Sequence, residues 1–202
     1  MGGPLGRVVG FLRRLVCAGD DECSASVSIQ ISQTGYSVEK ERAERIGRLK
    51  EVCAFIIAHP EWQPERDAGG TIVRTHCDDA FCHVCDVMGG PHYAPKTTWA
   101  NSIIAAIRLD SGWRLASGER AQIHANLGGL ACAAADSGML GEWAGKFVGH
   151  GHIATISPGT MRSSGHWGKE CPMVANVGER NGIMPASYAF RLEPEFYVYG
   201  TP

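Results

Sequence analysis

Ile46, Leu49, Val52, Cys53 and Ile56 recur at helical spacing among charged neighbours, which predicts an amphipathic helix from about Val38 to Ala58, stopped before Pro60. A second helix is expected from Thr75, because Phe81, Val84, Cys85 and Met88 stand at i, i+3, i+4 and i+7 and the pattern halts at Gly89-Gly90. Thr75 reads as its N-cap, with Asp78 three residues on as an approximate capping box in which Asp replaces Glu or Gln. Trp99, Ile103 and Ile107 share one face of a short third helix ending near Arg108, and a fourth runs from Gly118 to Asn126 before Gly128-Gly129. After that the period changes. Short apolar or β-branched runs at Leu130–Ala135, His152–Ile156, Met173–Val177, Ser187–Arg191 and Phe196–Tyr199 read as strands. Helices first and a mainly antiparallel sheet after them make an α+β layout. The Pro- and Gly-containing stretch 60–74 reads as a linker, and the Ser-rich stretch 20–37, with Val27, Ile29 and Ile31 alternating, as an appended strand or loop ending at Gly35. The expected organisation is therefore an N-terminal extension, 1–37, and one domain, 38–202.

Composition narrows the function classes. A chain of 202 residues with 44% hydrophobic content can bury a full core, and a net charge of −2 leaves no footprint for a polyanion, so nucleic acid is not an expected partner. No run approaches the roughly 18 apolar residues of a membrane span. Between Gly2 and Val16, Gly10 and Arg13-Arg14 interrupt the apolar residues, so no continuous core of a secretory signal is recognisable. Read as a helix, the same residues are amphipathic and basic, which fits either contact with a membrane surface or delivery partner, or a small packed or frayed terminus. The eight cysteines are unevenly spaced. Only Cys17 and Cys23 suggest a disulfide, while Cys53 and Cys132 lie in apolar settings suited to free thiols.

Chemistry enters at Cys77. In the first turn of its helix the unpaired amides and the macrodipole favour a thiolate, the nucleophilic form. The competing reading is a buried small hydrophobe. Downstream, Gly149-His150-Gly151-His152-Ile153-Ala154-Thr155-Ile156 places His152 at the first residue of a strand, beside a Gly-rich turn. A thiol on a helix start and an imidazole on a later strand are the parts of a cysteine hydrolase, in which His takes the thiol proton and returns it to the leaving amine. His76, Cys77, Cys82, His83 and Cys85 also raise a small Cys/His metal module. Residues five apart on a helix diverge by about 140°, however, and no second Cys/His pair follows at finger spacing, so neither metal nor cofactor is expected.

At Cys77–Phe81 and Gly151–Ile156 the chain resembles the papain-like cell-wall hydrolases of the NlpC/P60 and CHAP type. Over Cys77–Tyr199 it is most similar to the type VI secretion amidase effectors, through Ala100-Asn101, Trp113 with Leu115-Ala116-Ser117-Gly118, Ala121-Gln122, the His152 strand, Pro172-Met173, Val177-Gly178 with Gly182, and Phe196–Tyr199, in the same order. Asp78-Asp79 departs from the family's usual Asn or Ser and Gly, and some seventy N-terminal residues have no counterpart in a minimal effector. The resemblance implies a papain-like NlpC/P60 fold and cleavage of amides in the peptide stem or crosslink of bacterial peptidoglycan through a thioester. It also implies a cognate immunity protein or secretion component as further partners, and action in the periplasm or cell wall after secretion or phage-type lysis. The third catalytic position stays open: the family pattern lies nearest Cys171, counting back from Val177-Gly178 reaches Glu170, and Asn176 is the better hydrogen-bond acceptor for an imidazole. Asp78 and Asp79 are candidates for binding a substrate ammonium. Trp167, with Trp99, Trp113 and Trp143, is a candidate lining of a substrate groove, although Trp99 and Trp113 read rather as core. A non-catalytic structural or phage-tail component with the same fold is the alternative from another class.

Overall fold

In the computed structural model of the chain, residues 22–94, 99–140 and 150–201 are described, with side chains from Tyr36 onward. The basic stretch Gly2–Val16, Cys17, the Cys23 side chain and Trp143 lie outside that description, and with them the Cys17–Cys23 pairing. The chain divides into two units, Met1–Glu41 and Arg42–Pro202. Helix α1 spans Glu22–Ala58, so 22–37 is helical rather than a strand or loop. No proline falls between Glu22 and Ala58, and once a helix is nucleated each further residue adds one hydrogen bond, which outweighs a three-residue alternation.

Within the second unit, Leu49, Val52, Cys53 and Ile56 of α1 are buried in the core, as their spacing requires. The segment read as a linker has structure of its own: a 3₁₀ turn at Pro60–Trp62 and a hairpin of β1, Glu65–Arg66, with β2, Ile72–Arg74. Asp67 closes the hairpin, its Oδ1 accepting from the amides of Gly69 and Thr71, both at 2.9 Å. The next helix, α2, is Cys77–Met88 and ends at Gly89 in the left-handed region, φ 70°. Its N-cap is His76, not Thr75, and His76 makes no side-chain capping bond. Cys77 is consequently the first helical residue. Helices α3, Ala100–Leu109, and α4, Gly118–Asn126, follow, the latter capped by Ser117 Oγ accepting from Arg120 N at 3.2 Å.

Six strands form the main sheet: β3 Trp113–Ala116, β4 Ala131–Ala135, β5 His152–Ile156, β8 Met173–Asn176, β9 Gly182–Pro185 and β10 Glu195–Tyr199. Their order is β3-β10-β4-β5-β8-β9 and every pairing is antiparallel, so the second unit is α+β. A separate hairpin pairs β6, Arg162–Ser164, with β7, Lys169–Cys171. Short helices α5, Ser137–Leu140, and α6, Ala186–Ala189, complete the described elements. The strand expected at Ser187–Arg191 is thus mostly helix. Ala186 and Phe190 are both buried, and a spacing of four puts two residues on one side under either period, so pattern alone could not separate them.

All five residues of β4, four of them Ala, are buried, and such small side chains let the sheet centre be covered closely on both faces. Helix α2 packs on β5. The entry to β5 is held from outside the strand. Asn101 N donates to His150 O at 3.1 Å, and its side chain exchanges hydrogen bonds with Ser137, Nδ2 to Oγ at 3.0 Å and Oδ1 from N at 2.9 Å. Between them Gly151 has φ 64°, and a Cβ there would lie 2.5 Å from Asn101 Oδ1 and 2.9 Å from Ala135 O. Both the conformation and the contact exclude a side chain. Gly151→Ala is therefore expected to destabilise the fold by about 1–3 kcal/mol, checked by urea unfolding against Gly165→Ala, where a Cβ meets nothing within 4 Å.

Candidate active site

Cys77 opens α2 and His152 opens β5, and packing of that helix on that strand brings the thiol to the backbone just past the histidine. The Ile153 N–H lies against the Cys77 sulfur, together with the amides of Asp78 and Cys77 itself. Sulfur and imidazole make no hydrogen bond with each other here. Cys77 borders a narrow apolar crevice walled by Ile56, Phe81, Ile153 and Val177.

Register supplies the third group. Thr155 pairs with Ala175 and Ile156 with Val174, so the antiparallel ladder, continued one step, sets Asn176 opposite Ala154 and on the same face as His152. His152 Nε2 and Asn176 Oδ1 are 2.8 Å apart. The amide orientation follows from its other end, since Asn176 Nδ2 donates to Arg180 O at 2.6 Å. An oxygen that only accepts requires Nε2 to carry the proton, which leaves Nδ1 with its lone pair. Phe190 packs on the ring at 4.9 Å between centroids, and Gly178 is close enough that a Cβ would lie 3.3 Å from His152 Cε1.

No protein-family model matches the chain, and no curated protein matches it.

Cys171 and Glu170, the other candidates for the third position, are not brought to His152. Both lie in β7, outside the main sheet; the Cys171 sulfur is hydrogen-bonded with Arg162 O at 3.4 Å and lies 3.6 Å from Ser187 Oγ, and the Glu170 side chain is exposed.

Burial opposes the thiolate that the helix start favours. Cys77 is only 6% exposed, and burial, with Asp78 adding a negative charge beside it, pushes its thiol up to about 12 despite the three amides. Desolvation of an anion outweighs a helix end here. His152 is shifted the other way, below 6.5, because burial disfavours the imidazolium more than the Asn176 bond supports it. Both shifts favour the neutral forms, thiol and imidazole, over a thiolate–imidazolium pair. Cys53 and Cys82 are also pushed up to about 12 by burial. A folded state that holds these thiols above their ordinary 9.0 is favoured by protonation; its contribution is full below about pH 9 and is lost as pH rises to about 12. Urea unfolding at steps from pH 7 to 11 is expected to show stability falling across that window, and the decline should be shallower in Cys53→Ala.

The substrate-binding candidates separate. Asp78 and Asp79 are half-buried; Asp79 pairs with Arg74 at 3.5 Å and with His76 at 3.4 Å, and burial together with Asp79 raises the Asp78 carboxyl. Trp167 lines a separate groove of about 370 Å³ with Met161, Lys169, Glu170, Pro172 and Phe196. Trp113 is core and donates from Nε1 to Tyr93 OH at 3.0 Å, whereas Trp99, expected in the core, is 54% exposed and stacks on His150 at 3.9 Å. As the N-cap of α3 it stands outside the buried stripe of Ile103 and Ile107. Among the described residues no group of three His, Cys, Asp or Glu side chains is placed to hold a metal ion. Also among them, no helix is long and apolar enough to cross a membrane.

His76, raised in the sequence only as part of a metal module, is buried and bonded through Nε2 to Glu65 at 3.1 Å; Asn181 was missed altogether. An Asn followed by Gly at 181–182 signals a turn, but nothing local says what its side chain reaches.

Proposed function

We propose that the chain is a papain-like cysteine hydrolase of the NlpC/P60 kind that cleaves amide bonds in the peptide stem or crosslink of bacterial peptidoglycan. The observation that carries this reading is the His152–Asn176 bond at 2.8 Å on a strand packed against the helix that begins with Cys77. In the reaction, Nδ1 of His152 takes the thiol proton as Cys77 sulfur bonds to the scissile carbonyl carbon. The resulting oxyanion is held by the backbone N–H of Cys77 at the helix start. His152 then gives that proton to the leaving amine, the C–N bond breaks, and a thioester remains. Water, deprotonated by the same nitrogen, adds to the thioester and releases the acid and the thiol. Because the resting thiol is neutral, His152 works as a general base at the moment of attack, not as half of a standing ion pair. Peptidoglycan as substrate rests on the motif resemblance, as do an immunity or secretion partner and action in the periplasm or cell wall.

The test is digestion of purified peptidoglycan, with the released fragments identified by mass. New amine and carboxyl ends in the peptide support the reading, and an unchanged fragment pattern overturns it. One observation favours the non-catalytic alternative: Cys77 is buried with its thiol raised as far as those of Cys53 and Cys82. Under that reading Cys77 is a core thiol, and peptidoglycan is left intact under every condition.

A further inference from the structure

The loop after β8 is held in place by a side chain outside the Cys77–His152–Asn176 set. Asn181 Oδ1 accepts from Gly178 N at 3.0 Å, and its Nδ2 donates to Trp62 O at 2.8 Å, across 119 positions of sequence. Asn181 thereby fastens the 177–181 loop to the 3₁₀ turn at Pro60–Trp62. Two atoms of that loop act on the imidazole. The Arg180 carbonyl takes Asn176 Nδ2 at 2.6 Å, and Gly178 lies against the His152 ring, where a Cβ would stand 3.3 Å from His152 Cε1.

We infer that Asn181 is a positioning residue that sets the tautomer of His152 through Asn176; the inference rests on the hydrolase reading above. An amide side chain has two faces of opposite character, and only the acceptor on Arg180 decides which one Asn176 turns toward His152. With Arg180 O in place, Oδ1 faces the ring and Nε2 carries the proton. Were the loop to loosen, the amide would be free to turn, Nδ2 would face the ring, and Nε2 would have to accept, moving the proton to Nδ1. An Nδ1–H cannot take a proton from a thiol. The ends of the loop are closed by the Asn176–Gly182 pair of the β8–β9 ladder, and Asn181 fixes its interior, accepting from Gly178 N within the loop and donating to Trp62 O outside it. Asn181→Asp keeps the acceptor and loses the donor.

The experiment uses the full chain labelled with ¹⁵N, at a pH where His152 is neutral, with its ring nitrogens assigned by comparison with His152→Ala. Wild-type protein is expected to show one tautomer, protonated at Nε2. Asn181→Ala is expected to show a mixture with Nδ1–H, and its turnover of peptidoglycan to fall about tenfold with KM little changed. Asn181→Asp should lie between. An unaltered single Nε2–H tautomer in Asn181→Ala overturns the inference, and so does a mixed tautomer already present in wild type. If Asn181→Ala does not fold, the same two outcomes are read from Asn181→Asp. Absence of hydrolysis by the wild-type protein would count against the hydrolase reading, while the tautomer measurement still decides the role of Asn181.

Discussion

Cys77→Ala and His152→Ala proteins are expected to lose peptidoglycan hydrolysis to background, with Cys77→Ala remaining folded. Cys77→Ala removes a single sulfur from the edge of the core, where Phe81, Ile56 and Ile153 remain, so the lost burial is about 1 kcal/mol. His152→Ala is structurally harsher. It leaves Asn176 Oδ1 without its partner and removes the ring from Phe190, at a cost of about 1–3 kcal/mol. Cys77→Ala is thus the cleaner test, and unfolding curves for both proteins belong beside the activity. The pH dependence follows from the same groups. His152 acts as base only when neutral, and its proton affinity is held below 6.5, so turnover should rise with pH on the acid side of 6.5 and level off before neutrality. Alkylation of Cys77 by iodoacetamide should be slow at pH 7 and should accelerate steadily into the alkaline range, as a thiol pushed up to about 12 requires. Full hydrolysis by Cys77→Ala would sink the mechanism. Fast labelling at pH 7 would show instead that the neutral resting pair is wrong.

Asn176→Ala is expected to lower kcat by one to several orders of magnitude, whereas Cys171→Ala and Glu170→Ala should leave it close to wild type. The distinction comes from the sheet. Asn176 is on the His152 face of β8 and bonds the ring at 2.8 Å, while Cys171 and Glu170 belong to β7 in the other hairpin. Loss of Asn176 removes the acceptor that holds the proton on Nε2, so part of the population carries it on Nδ1 and is inactive. Asn176→Asp retains the acceptor and should keep more activity than Asn176→Ala, although a carboxylate there would favour the imidazolium and move the acid limb upward in pH. Measuring kcat for the four proteins side by side decides the assignment. If Cys171→Ala alone is inactive, the family pattern carries over in spite of the geometry.

Local pattern was enough for elements whose partners lie nearby in sequence. The stripe Leu49, Val52, Cys53 and Ile56, the stop at Gly89, the bounds of α4 and the strand beginning at His152 all follow from periods of 3.6 or 2 and from the residues that end them. The chemistry of Cys77 and His152 was likewise suggested by where each stands in its own element. Local pattern failed where two periods agree, as for Ala186 and Phe190, and where a continuing helix overrides a brief alternation, as for Val27, Ile29 and Ile31. The tertiary structure alone decided the rest. Which of Glu170, Cys171 and Asn176 meets the imidazole depends on the register between β5 and β8, a relation between strands about twenty residues apart. Whether Cys77 rests as thiol or thiolate depends on how much water its neighbours exclude, and Ile56, Ile153 and Val177 come to it from three other parts of the chain. Periodicity tells each element which face to bury; the state of a charge and the partner of a hydrogen bond depend on what arrives from the far side, and only the folded chain brings it there.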